Sequence, residues 1–112
     1  MDAIDLRDLV RFSDDGPVHA PVHESERLWS ELVCLDRNQG IGPITDQDSD
    51  AICLVVTGKI VVQLDRGRKR LSQWETVLVP AGSSLVLTNA SPDPAVVLLV
   101  AAPPPTARAS TG

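Results

Sequence analysis

The chain has 112 residues, enough for one domain with a core of its own. Ten Lys and Arg against fifteen Asp and Glu leave a net charge of −5, the wrong sign for a surface that seeks nucleic acid or an anionic membrane. Hydrophobic residues make up 43% of the chain and aromatics only 3%, so the core must be aliphatic, and its Val-rich runs lean toward strands.

Residues 1–16 read as an extended arm. Ile4, Leu6 and Val10 alternate as in a strand, whereas Ile4, Leu9 and Phe12 fit a helical face only loosely. A turn at Ser13-Asp14-Asp15-Gly16-Pro17 closes the arm. Val18 to His23 is a short strand that Pro21 confines to an edge. Arg27 to Leu35 is long enough to cross a sheet, Asp36 to Pro43 is a turn-rich connection, and Ile44 to Asp50 is a loop or barrel rim. Ala51 to Val56 and Ile60 to Leu64 form a hairpin that turns at Gly58. Asp65 to Arg70 is a basic turn.

The next stretch, Val77-Leu78-Val79-Pro80-Ala81-Gly82-Ser83-Ser84-Leu85-Val86-Leu87-Thr88-Asn89, holds two aliphatic strands joined at Pro80-Ala81-Gly82. Ser91 to Pro94 turns again, and Ala95 to Ala102 is the last strand. Short strands separated by Gly, Pro and Asp turns give an all-β, antiparallel sandwich or barrel over residues 17–102. A Pro-rich tail, 103–112, has nothing to bury and is expected to be disordered. No run approaches the roughly 18 apolar residues of a membrane span, and the first residues lack a signal-peptide pattern. Cys34 and Cys53 lie inside aliphatic runs as small hydrophobes. A cytoplasmic address is the resulting expectation.

Pro80, Gly82 and Asn89 resemble the second signature of the cupin superfamily, Gly-x5-Pro-x-Gly-x2-His-x3-Asn. Trp74 stands at its first Gly and Leu85 at its metal-binding His. Val55 to Lys59 resembles the hairpin that ends the family's first signature, Gly-x5-His-x-His-x3-4-Glu-x6-Gly. Counting back from Gly58 puts the Glu at Ala51, with the two His at Ile44 and Asp46 or at Thr45 and Gln47. Counting forward from Gly40 gives Asp46 and Asp48 instead. No register places a histidine anywhere in 40–58.

The resemblance, spanning Leu32 to Ala102, implies a double-stranded β-helix, or jelly-roll barrel, with a cavity between its sheets and a homodimeric state. Metal sites of that fold need imidazoles and a carboxylate. With these slots altered, neither a metal nor another cofactor is expected. The family includes enzymes, binders and regulators, so the fold alone names no activity.

Three readings of function follow. The preferred one is a metal-independent module that binds a small, largely apolar ligand inside the barrel, acts as a homodimer, or does both. Its inward residues are Cys53, Val55, Leu85 and Leu87, with Trp29 and Gln63 as aromatic and polar anchors. Gln63, a lone amide in an apolar strand, points either into the cavity or to solvent. The enzyme reading is metal-independent isomerisation or lyase chemistry. It uses His19 or His23 as general base, oriented by Glu24, Glu26 or Glu31. The competing assignment makes both histidines exposed edge residues. In the third reading a filled barrel dimerises through its outer sheet and the arm Ile4 to Phe12.

Two charged stretches carry weaker signals. Asp46-Gln47-Asp48-Ser49-Asp50 starts like a calcium loop, but Ala51 and Thr57 stand where that loop needs Gly and Glu. Arg66 to Arg70 reads as a charged hairpin tip that blocks edge pairing or as a patch for an acidic partner.

Overall fold

The computed structural model describes residues 1–105. Nine strands follow one another: β1 (Val18–Glu24), β2 (Trp29–Leu35), β3 (Gly40–Ile44), β4 (Asp50–Thr57), β5 (Lys59–Leu64), β6 (Gly67–Ser72), β7 (Thr76–Val79), β8 (Leu85–Thr88) and β9 (Ala95–Ala102). All pairings are antiparallel. They make a five-stranded sheet in the order β1-β2-β9-β4-β7 and a four-stranded sheet in the order β3-β8-β5-β6. The all-β jelly-roll expectation therefore holds. Among the described residues no helix is long and apolar enough to cross a membrane.

Strand alternation sorts the side chains. Trp29, Val33 and Leu35 of β2, Cys53 and Val55 of β4, and Val97 and Leu99 of β9 face inward from the larger sheet. They meet Ile60, Val62, Leu71, Leu85 and Leu87 from the smaller one. β9 lies between β2 and β4 and presents aliphatic groups on both faces, which is why its sequence lacks polar residues.

The hairpin between β4 and β5 turns at Gly58, with φ +83. A Cβ there would lie 2.6 Å from the Pro94 carbonyl oxygen and 2.8 Å from Ala95 Cα, so this turn accepts only glycine. Trp74 has φ +74, the left-handed conformation that suits the glycine of the cupin signature. Asn89 is fully buried. Its amide donates to the carbonyls of Leu35 (3.0 Å) and Asp93 (2.8 Å), while its oxygen accepts from the Ser91 N–H (3.0 Å) and hydroxyl (2.9 Å). This signature residue therefore ties the ends of β2 and β8 to the turn before β9.

The expected extended arm needs correction. Leu6–Leu9 form a 3-10 turn, capped by the Asp5 side chain, which accepts the Arg7 N–H at 3.0 Å. Leu6, Leu9 and Val10 pack on Leu32, Cys34 and Val96, on the outer face of the chain's own larger sheet. That contact favours the turn over continued extension.

The expected tail also differs in its first residues. The Pro103 carbonyl accepts the hydroxyl of the buried Ser49 at 2.6 Å, so the chain is fixed against the barrel as it leaves β9. Residues 106–112 of that expectation lie outside the described residues.

Candidate functional site

Six strand ends converge at one end of the barrel: the starts of β2, β4 and β8 and the ends of β3, β7 and β9. Between them lies a cavity of about 490 Å³. Its walls are Trp29, Ile41, Ile44, Ala51, Val79, Leu85, Leu99 and Ala101, with Pro80 and Pro105 at its margin. The polar groups facing it are few: His19, Glu31, Asp46, Ser49 and Ser83. An apolar chamber with a small polar set is the usual composition of a small-molecule site.

The polar set is built by register. Glu31 shares the inner face of β2 with Trp29 and Val33, and His19 on β1 pairs with Val33. Both side chains are thereby brought to the cavity wall at the β1 edge. His19 Nδ1 and Glu31 Oε1 are 2.6 Å apart, with the His19 side chain 46% exposed and that of Glu31 18% exposed. An ionised carboxylate can only accept, so the proton of this bond sits on Nδ1. That leaves Nε2 as the ring nitrogen available to a substrate, the geometry of an oriented general base.

The other histidine is placed differently. The His23 backbone N–H donates to Ser30 Oγ at 2.9 Å, its carbonyl accepts the same hydroxyl at 3.0 Å, and the ring is absent from the cavity wall. Glu24 is exposed at the end of β1 and does not reach the cavity. Of the carboxylates considered as partners, the structure selects Glu31. Of the candidate anchors, Trp29 and Leu85 line the chamber.

Cys53, Val55 and Leu87 do face inward, but they belong to the filled middle of the barrel and do not line the cavity. There the side chains of the two sheets are buried against one another. Burial also pushes the Cys53 thiol up to about 12, which removes it as a nucleophile. Gln63 is exposed: alternation with the buried Ile60 and Val62 sends it outward, and its role as a polar anchor is withdrawn.

Ala51 and Leu85 occupy the positions of a carboxylate and an imidazole in the resemblance, and they contribute only hydrocarbon here. Among the described residues no three His, Cys, Asp or Glu side chains come together as a metal site. The donors present do not fit the metal centre that the resemblance implies.

The acidic loop beside the chamber is tied down by backbone N–H groups that its carboxylates accept. Asp46 accepts the Asp48 N–H at 2.9 Å, and Asp50 accepts the Ala81 N–H at 2.9 Å. A second cleft, of about 550 Å³, lies at the opposite end between Lys59, Arg70, Ser72 and the 90–93 turn. It is the larger of the two. Its wall is mixed and charged, however, and none of the signature's metal-ligand slots faces it, so the apolar chamber is the better candidate.

No family model matches the chain, and no curated protein matches it. Solved structures do. TT1209 from Thermus thermophilus is 30% identical with a TM-score of 0.90, over 94% of this chain and 100% of that one. An uncharacterized protein with a double-stranded β-helix domain from Klebsiella pneumoniae is 18% identical, with a TM-score of 0.85 over 92% of this chain and 90% of that one. The cupin domain of Schizosaccharomyces pombe Cnp3 is 14% identical, with a TM-score of 0.80 over 97% of this chain and 77% of that one. The last two likenesses concern the fold.

Proposed function

We propose that this chain, which has the double-stranded β-helix fold of the cupin domain it resembles, is a metal-independent cupin that binds a small, largely apolar molecule at the open end of its barrel. The observation that carries this reading is the replacement of signature ligands by Ala51 and Leu85 in the wall of a chamber of about 490 Å³. Donors for a metal have given way to hydrocarbon surface, and the space they would have served is retained. Trp29 supplies a flat apolar wall, and the His19–Glu31 pair offers one hydrogen-bonding point at the rim.

The test uses Trp29 as its own reporter. In a Trp74→Phe background, 1-anilinonaphthalene-8-sulfonate should quench Trp29 emission saturably, and Ala51→Phe, which fills chamber space without adding a second indole, should abolish that response. Unchanged probe binding in the filled variant would refute the reading.

The 2.6 Å contact between His19 and Glu31 favours one second reading, isomerisation or lyase chemistry by proton transfer at Nε2. A ligand extracted from the protein and returned to it in D2O should then gain deuterium at carbon, and His19→Gln should stop the exchange. Absence of exchange with the native protein would leave binding as the function.

A further inference from the structure

The chain is acidic overall, yet five of its ten Lys and Arg residues fall within the β5–β6 hairpin: Lys59, Arg66, Arg68, Lys69 and Arg70. The carboxylate of that stretch, Asp65, is turned to the neighbouring loop, where it accepts the Ser84 N–H at 2.9 Å. Among the described residues none of the five cations has an ion-pair partner. Protection of an open edge accounts for charge on β6. It does not account for Lys59, because β5 lies inside the sheet between β8 and β6.

Alternation decides where these cations stand. Ile60, Val62 and Leu71 are buried between the sheets, so Lys59, Val61, Arg70 and Ser72 lie on the outer face of the smaller one. Lys59 is opposite Ser72, and Val61 is opposite Arg70. Lys59 and Arg70 are thus diagonal neighbours, roughly 7–8 Å apart at the backbone and within reach of each other's long side chains. Two like charges in that relation repel, and an anion held between them turns repulsion into attraction. Ser72 donates its backbone N–H to Glu75 at 2.8 Å, while its hydroxyl makes no hydrogen bond among the described residues.

The 90–93 turn forms the facing wall of the second cleft. Buried Asn89 accepts the Ser91 N–H and hydroxyl and donates to the Asp93 carbonyl, so this wall is fixed before any ligand arrives. The space of about 550 Å³ is that of a small-molecule site. The Ser91 proton is engaged within the turn, which leaves Lys59, Arg70 and Ser72 as donors. Asp93 is the one carboxylate of the wall, and it pairs with neither cation among the described residues.

We infer that this cleft is a second binding site, which takes a small molecule by a phosphate group held between Lys59 and Arg70. A phosphate dianion matches the two cations in charge, and its three oxygens suit a forked guanidinium, a point-like ammonium and one hydroxyl. A single carboxylate would leave one cation without a counter-charge. Asp93 on the facing wall favours a ligand body that carries hydroxyl or amino donors over one with a second acid. The site lies at the other end of the barrel from the apolar chamber and stands whether or not that chamber is occupied.

Chemical-shift titration of the 15N-labelled chain with inorganic phosphate, at constant ionic strength and about pH 8 where the probe is a dianion, tests it. Saturable shifts are expected at the amides of residues 58–61, 70–73 and 90–93, and none around Trp29. Lys59→Gln and Arg70→Gln should each weaken binding by about tenfold, the scale of one charge-assisted hydrogen bond. Both side chains are exposed, so the spectra should otherwise match the native fold. Arg27→Gln, in the exposed β1–β2 turn, should leave the Kd unchanged, and succinate should bind more weakly than phosphate. Shifts that do not saturate, a Kd indifferent to Arg70→Gln, an equal loss in Arg27→Gln, or tighter binding of succinate would each overturn the assignment.

Discussion

Asn89→Ala is the perturbation whose size can be worked most fully from the structure. The side chain is wholly buried, and its bond to the Leu35 carbonyl lies in fully buried surroundings. Its contacts to Asp93 and Ser91 lie in partly buried ones. Truncation to a methyl leaves the Leu35 carbonyl without this donor, at about 1–3 kcal/mol for a buried group. The Asp93 carbonyl and the Ser91 N–H also lose partners but recover part of the loss through water, at about 0.5–1 kcal/mol each. The expected total is about 3 kcal/mol, out of the roughly 5–15 kcal/mol that holds a domain together. Urea unfolding followed by circular dichroism should show a lower midpoint with an unchanged m value. A loss below about 1 kcal/mol would refute the claim that this signature residue fastens the β2 and β8 ends to the final turn.

Two further outcomes are expected. Gly58→Ala places a methyl against the Pro94 carbonyl at φ +83 and should cost about 3 kcal/mol or more in the same urea assay. Cys53 gives a pH dependence. Its folded-state thiol is pushed up to about 12 by burial, against an ordinary value of 9.0. Below about 9 both states hold the proton and stability is unaffected. From about 9 to about 12 the unfolded chain releases it while the folded chain does not, so stability falls as pH rises, by up to about 1.4 kcal/mol per pH unit. Alkaline urea titrations should show this slope flattened in Cys53→Ala. The chain contains no tyrosine to obscure the comparison.

Much of the fold was legible because turn chemistry and alternation agree. Gly58 and Gly82 take the positive φ of their turns, the buried Asn89 fastens the turn before β9, and each sits where the signatures require it. β3 was harder to see. Gly40–Ile44 contains two glycines and a proline, and becomes a strand through its pairing with β8 rather than by propensity. β6 was masked by its cations, which are tolerated because the strand lies at an edge.

The Leu6–Leu9 turn depends on a sheet surface that no local pattern reveals. At the site, facing could be read from parity, but depth could not. Cys53, Val55 and Leu87 face inward at a level where the two sheets meet, whereas Ala51 and Leu85 lie where strand ends part and leave space. Choosing Glu31 among three nearby carboxylates likewise required the β1–β2 register.

Native mass spectrometry of the chain purified from its own host tests the central claim most directly. The account predicts a non-covalent mass excess from one small organic molecule per chain, present in the native protein and absent from Ala51→Trp. A native protein carrying a stoichiometric transition metal, or an organic adduct that persists in the filled variant, would contradict it.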